Sequence, residues 1–125
     1  MHEISHHGND PQRLQEYRRI NRYHVGQLAR VLGRMQAIDE GGSSMLDNTV
    51  LLFGSTMGDG DSHDGNHLPL LLCGGRNCEL RPGRRLVYEK MEDRRLCNLH
   101  LALARRMGLN VDQVGNSHYA LPGLA

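Results

Sequence analysis

The chain has 125 residues, of which 15 are Lys or Arg and 14 are Asp or Glu, so its formal net charge is +1. This length allows at most one domain. The nearly even charge balance gives no electrostatic reason to expect binding to nucleic acid or to an anionic membrane surface. No apolar run approaches the ~20 residues of a membrane span, and the polar, histidine-rich first residues are unlike a signal peptide.

The cysteines are Cys73, Cys78 and Cys97. An odd number argues against a disulfide framework, so we expect free thiols. A disulfide between Cys73 and Cys78 remains the alternative. Their spacing does not match that of paired zinc cysteines, and there is no second pair.

A long helix is predicted over residues 11–38. Asp10 occupies an N-cap position and Pro11 the first helical position, and Gly41 and Gly42 follow the end. His24 falls on the apolar side, where we expect it to be partly buried. The other members of this side recur at steps of three and four and are Leu14, Tyr17, Ile20, Leu28, Val31, Met35 and Ile38.

Two short apolar runs, at residues 49–53 and 68–73, have the pattern of strands buried on both faces. Residues 84–89, "RRLVYE", predict a weaker third strand. Strands of this kind need neighbours on each side and covering helices. We therefore predict an α/β fold in which the two runs are central strands of an open sheet, the long helix covers that sheet, and residues 1–125 form a partial domain of a larger protein.

A second helix is predicted within residues 92–109. Its apolar face holds Leu96, Leu99, Leu103 and Met107, with Gly108 as the stop signal. His100 lies beside this face and is expected to be structural.

Two histidine-rich segments lie at the ends of predicted elements: "HEISHH" at residues 2–7 and "GSTMGDGDSHDGNHLP" at residues 54–69. Loops at strand ends of open α/β sheets are where ligands bind, and imidazoles with carboxylates suit zinc, manganese or iron. The competing interpretation is a set of ordinary solvated turns. The acidic run is not an EF-hand, because the closing glutamate is missing.

"HEISHH" fits the H-x-x-S-H-H motif, and the chain resembles the HXXSHH family of uncharacterised bacterial proteins. The likeness continues through "LDNTVLLFGSTMGDGDSHDGNHLPLLLCGG", "GRRLVYE", "LCNLHLALARRMGL" and "VGNS". It covers nearly all of this chain but only the C-terminal part of a family member. The family is similar to a distant branch of the alkaline phosphatase and sulfatase superfamily, which implies an open alkaline-phosphatase-like sheet covered by helices.

The resemblance also implies a metal site. His2 and His6 take the places of an aspartate and a histidine that bind one metal, and His67 takes the place of a further histidine ligand. His63, Asp59 and Asp61 are weaker candidates. His7 is expected to support a ligand or to be exposed.

The chain departs from the superfamily pattern at Ser55–Gly58, "STMG". There, Thr56 and Met57 replace two metal ligands, and His2 itself replaces an aspartate. The superfamily's nucleophile lies upstream of the matched region.

Two functions follow from the resemblance. The intact protein is expected to be a metal-dependent hydrolase of phosphate or sulfate esters, and the isolated chain is expected to be inactive. It would need the missing N-terminal part of the same fold as its partner, and an anionic ester as its substrate. The alternative is a non-catalytic, degenerate member that acts as a binding or structural protein.

Overall fold

The computed structural model describes residues 2–125. In chain order it contains helix α1 (His2–Ser5), helix α2 (Pro11–Ala37), strand β1 (Val50–Gly54), strand β2 (Leu70–Gly74), a 3-10 turn (Arg76–Cys78) and helix α3 (Leu96–Arg106). The strands form one antiparallel two-stranded sheet. The mixed helix-and-strand content confirms the predicted α/β class in its broad form.

Helix α2 begins where the sequence predicts. Asp10 Oδ1 accepts hydrogen bonds from the main-chain N–H groups of Gln12 and Arg13, at 3.0 and 2.9 Å. These bonds satisfy two of the donors that a helix N-terminus leaves free. The helix ends at Ala37, one residue earlier than predicted.

The apolar side of α2 is only partly covered, since most of its residues are half-buried. Leu28 is its one buried residue, whereas Val31 is 47% exposed. His24 is also exposed, so its predicted partial burial is wrong. The helix packs on α1 rather than across the sheet, and the prediction of a covering helix is therefore wrong for the described residues.

The sheet pairs Val50 of β1 with Gly74 of β2 and Gly54 with Leu70. Residues 84–89 have no ladder partner, so the predicted third strand is wrong. Among residues 2–125 each strand has a single neighbour, which makes both of them edge strands. Neither strand is buried on both faces, and residues 2–125 supply no second neighbour, so the central position of the strands in a larger sheet stays a prediction.

The core lies between α3, the C-terminal segment and one face of the sheet. Its buried members are Leu80, Leu99, Ala102 and Leu124. Helix α3 starts later than the predicted segment, and Gly108 follows it in the left-handed region (φ 81°), as a stop signal requires. Met107 is 75% exposed, so its predicted place on the apolar face is wrong. His100 is exposed as well, so its predicted structural role is wrong.

A buried asparagine ties the C-terminal segment to α3. The side chain of Asn98 is fully buried; its Nδ2 donates to the Glu92 carbonyl at 2.8 Å, and its Oδ1 accepts from the His118 N–H at 3.0 Å. The Asn98 carbonyl accepts from the Leu121 N–H at 3.0 Å. The irregular tail is thereby held against the helix.

The three cysteines are free thiols, which confirms the first of the two interpretations. Burial raises the pKa of the Cys73 thiol. Over the part of the chain that the structure describes, no helix is both long enough and apolar enough to cross a membrane.

Candidate functional site

The two histidine-rich segments meet in space. Gly60 is buried, and a Cβ atom added to it would lie 2.9 Å from the Ser5 Cβ. The main-chain N–H of Gly8 donates to Asp61 Oδ1 at 3.0 Å, although 53 positions separate the two residues in the sequence. The loop at residues 54–69 is therefore docked on α1 and the residues that follow it. We call residues 54–69 the docked loop.

His2 begins α1 and His6 directly follows its last residue, so the two lie about one turn apart. Their Nε2 atoms are 3.3 Å apart and their ring centroids 4.6 Å apart. Ser5 helps to fix this turn, since its Oγ donates to the His2 carbonyl at 2.7 Å. Local helical geometry thus brings two imidazole nitrogens together.

His63 is the third imidazole of this group. Its ring centroid lies 4.9 Å from that of His6. It reaches this position from a left-handed backbone conformation (φ 55°) on the docked loop. As the side chains stand, no group of three His, Cys, Asp or Glu residues within residues 2–125 is arranged to hold a metal ion.

His67 lies elsewhere on the loop. Its side chain is 77% exposed, and its Nδ1 is 3.4 Å from Asp64 Oδ2. It lines a groove along β2, whereas His2 and His6 line a separate depression. The structure therefore groups His63, rather than His67, with the N-terminal pair.

The loop aspartates hold the docked loop in shape. Asp59 Oδ1 accepts from the Asp61 N–H at 2.8 Å, and this bond is the main reason why the pKa of Asp59 is lowered. The N–H of Asn66 and then the imidazole of His67 lower the pKa of Asp64. Asp59 and Asp64 also pair through their main chains. These carboxylates are ionised at neutral pH and are already engaged as acceptors.

His7 is an anchor of this site, and because it is buried, the expectation that it could be exposed is wrong. It is 6% exposed; its Nδ1 accepts from the Asn9 N–H at 3.1 Å, and its Nε2 lies 3.9 Å from Asp59 Oδ1. A neutral ring that accepts at Nδ1 carries its proton at Nε2, on the side of the Asp59 carboxylate. Asn9 is in a left-handed conformation. The Gly8–Asn9 pair was the available signal of a tight turn that folds His7 inward.

The depression beside His2 and His6 also contains charged side chains. Glu3, Ile4, Arg13 and Glu16 complete its lining. Arg13 Nη1 donates to the His6 carbonyl at 3.4 Å, which fixes a guanidinium group next to the imidazole pair. The depression therefore contains one guanidinium group and two carboxylates, and Arg13 is its donor for anionic oxygens.

The "STMG" turn supplies no imidazole or carboxylate. Met57 is 39% exposed, and its N–H donates to Ser55 Oγ at 3.1 Å. Comparison with known proteins finds no matching family model, no matching curated protein and no matching solved structure. The resemblance to the HXXSHH family remains a prediction.

Proposed function

We propose that the chain carries a metal centre of a hydrolase of phosphate or sulfate esters, in which His2 and His6 are ligands to zinc, manganese or iron. The distance of 3.3 Å between their Nε2 atoms carries this proposal. Two nitrogens bound at 2.0–2.1 Å to one tetrahedral ion lie about 3.3–3.4 Å apart. Neutral imidazole is a preferred ligand of these metals.

A third ligand is needed, and His63 has the best position for it. Its ring already lies against that of His6, and its side chain is exposed, so rotation about its side-chain bonds meets little resistance. His67 is also exposed, but it starts from a contact with Asp64. Asp59 and Asp61 are weaker candidates, because their carboxylates already accept hydrogen bonds from the main-chain N–H groups of Asp61 and Gly8, respectively.

The chain's own residues would also bind the anionic substrate. A bound divalent ion supplies Lewis-acid polarisation of an ester oxygen. Arg13 lies in the same depression and offers guanidinium donors to the remaining anionic oxygens. The resemblance assigns the nucleophile to a segment upstream of these residues, so hydrolysis would need that segment.

The proposed larger fold is an open alkaline-phosphatase-like sheet of the HXXSHH family, completed by the missing N-terminal part of the same fold. Support comes from the free edge of β1 and from the exposure of Leu52 on that strand. Apolar strand residues of this kind are normally covered in a finished sheet.

The second candidate function is a non-catalytic role in binding or assembly. The "STMG" turn favours it, because Thr56 and Met57 stand where the resemblance implies two metal ligands. A degenerate site of this kind would keep the docked loop as a structural contact and bind no metal.

Calorimetric titration of the 125-residue chain with zinc separates the two functions. We expect one zinc ion per chain and a loss of affinity of at least about tenfold in His2→Ala and in His6→Ala. His24→Ala is the matched control, because His24 is exposed on α2 and outside the site. The zinc-loaded chain should then bind inorganic phosphate, and Arg13→Ala should weaken this step while Arg18→Ala does not. Absence of zinc binding, or equal affinity in all the histidine variants, would overturn the metal-centre proposal.

A further inference from the structure

A groove of about 720 Å³ runs along β2. Its opposite wall is formed by residues 80–88 and the start of α3. Leu70, Leu71 and Leu72 all line it, although successive side chains of a strand point to opposite faces of the sheet. A groove that receives side chains from both faces follows the open edge of the strand. We call this feature the basic groove, for the charges described below.

The register of the sheet identifies the free backbone groups at this edge. The Ser55 N–H donates to the Pro69 carbonyl at 3.3 Å, which continues the β1–β2 register by one pair. Along an antiparallel strand, every second residue directs its main-chain N–H and C=O groups toward the partner strand. In β2 these residues are Leu71 and Cys73, which bond to β1. The N–H and C=O groups of Leu70 and Leu72 then point outward, and no other main-chain group within residues 2–125 bonds to them.

The charge of the groove is strongly one-sided. Asp93 is its one acidic residue, and its Oδ1 accepts from the Tyr119 hydroxyl at 2.6 Å. Five arginines line the groove, and none of them forms an ion pair within the described residues: Arg81, Arg84, Arg85, Arg94 and Arg95. The nearly neutral net charge of the whole chain conceals this local excess.

The groove also has an apolar surface. Leu71 is 47% exposed on β2, and Val87 is 63% exposed on the opposite wall. Residues 84–87 are exposed and belong to no strand, so they flank the groove without closing it. The feature therefore combines unpaired strand groups, apolar side chains and uncompensated positive charge.

We propose that the basic groove binds an extended, acidic segment of a second polypeptide, which adds to β2 as a strand. The free groups of Leu70 and Leu72 supply the main-chain hydrogen bonds of strand addition, and the exposed leucine and valine side chains receive its apolar residues. The arginines select carboxylates on the segment. A second copy of this chain does not fit, because its own strands, "VLLFG" and "LLLCG", contain no carboxylate. The inference is independent of the proposed metal centre.

The test uses a blocked peptide of alternating valine and glutamate residues as the probe, with binding followed by fluorescence anisotropy. A second peptide, in which lysine replaces each glutamate, tests whether binding depends on the negative charge. A version N-methylated on alternate residues of one edge reports on strand pairing, because methylation removes main-chain donors and leaves the side chains in place. We expect the glutamate peptide to bind and both altered peptides to lose at least about tenfold in affinity.

Protein variants locate the binding. Arg81→Glu combined with Arg85→Glu should abolish binding of the glutamate peptide without disturbing the fold, since both side chains are exposed on the wall of the groove. Arg18→Glu combined with Arg22→Glu, on exposed positions of α2, is the matched control and should bind as the unaltered chain does. Equal binding of the N-methylated peptide would overturn strand addition. Loss in both double variants, or tighter binding to phosphatidylserine vesicles or to single-stranded DNA than to the peptide, would overturn the proposed partner.

Discussion

The Nε2 atoms of His2 and His6 face each other at 3.3 Å, which leaves room for a single bridging proton or a single metal ion between them. The turn from His2 to His6 sets this distance, and the docked loop contacts that turn through Ser5 and Gly60. The metal-centre proposal therefore depends on the contact between two segments that are far apart in the sequence. Changes to the contact should act on metal affinity without touching a ligand.

Gly60→Ala should push the loop away from α1. The added Cβ would meet the Ser5 Cβ at 2.9 Å, closer than such atoms approach in real structures. Overpacking of this kind costs about 1–3 kcal/mol, and we expect a lower zinc affinity together with faster amide exchange in residues 2–9. Gly65→Ala is the matched control, because a Cβ at Gly65 would meet nothing within 4 Å. Equal zinc affinity of the two variants would show that docking does not position the ligands.

Asn98→Ala should destabilise the whole fold. It leaves the Glu92 carbonyl and the His118 N–H without these partners in a partly buried region. Each buried polar group left unpaired costs about 1–3 kcal/mol. Urea denaturation should show a lower midpoint for Asn98→Ala and an unchanged one for the control Asn110→Ala, whose side chain is exposed. An unchanged midpoint in Asn98→Ala would contradict this role.

Much of the local structure could be predicted from the sequence. The Asp10–Pro11 start of α2 and the two apolar runs that form β1 and β2 depend on neighbouring residues, and the strands were predicted to within two residues of their bounds. Residues 84–89 have the composition of a strand, but pairing requires a partner edge that local composition does not reveal. The burial of α2 failed for the same reason, since an apolar stripe does not specify what covers it.

The site was harder to predict than the elements. The helical spacing of His2 and His6 is local, so their proximity could be expected once α1 was known. The choice between His63 and His67 depends on how the loop turns. The left-handed conformation of His63 and the main-chain pairing of Asp59 with Asp64 direct His63 toward His6. Neither feature can be predicted from the spacing of the histidines in the sequence.

Asp10→Ala should weaken α2. The substitution removes the acceptor for the N–H groups of Gln12 and Arg13, and loss of an N-cap costs about 0.5–2 kcal/mol. We expect a lower thermal midpoint, measured by circular dichroism at the helix band. Asp10→Ser should recover most of the loss, because serine also caps helices. A serine variant as unstable as the alanine variant would show that the cap is not the cause.

Tyr119 gives the chain a pH dependence in the alkaline range. Its hydrogen bond to Asp93, followed by burial and the Asp93 charge, raises the pKa of Tyr119 to about 12. The ordinary tyrosine value is about 10. A raised pKa means that the folded chain holds the proton more tightly, so this contribution to stability is complete below about pH 10 and is lost as the pH rises toward 12.

Absorbance of tyrosinate during an alkaline titration measures this effect. Of the four tyrosines, one should titrate near pH 12, and Tyr119→Phe should remove that step. Asp93→Asn keeps the tyrosine and should shift its pKa back toward the ordinary value. A late step that persists in Tyr119→Phe would assign it to another residue.

X-ray absorption at the zinc edge of the zinc-loaded chain tests the metal centre most directly. We predict two or three imidazole nitrogens at about 2.0–2.1 Å and no sulfur ligand, with the imidazole signal lost when His2→Ala and His6→Ala are combined. The His24→Ala spectrum should match that of the unaltered chain. Sulfur ligands at about 2.3 Å, or an imidazole signal that survives the double substitution, would contradict a metal centre built on His2 and His6.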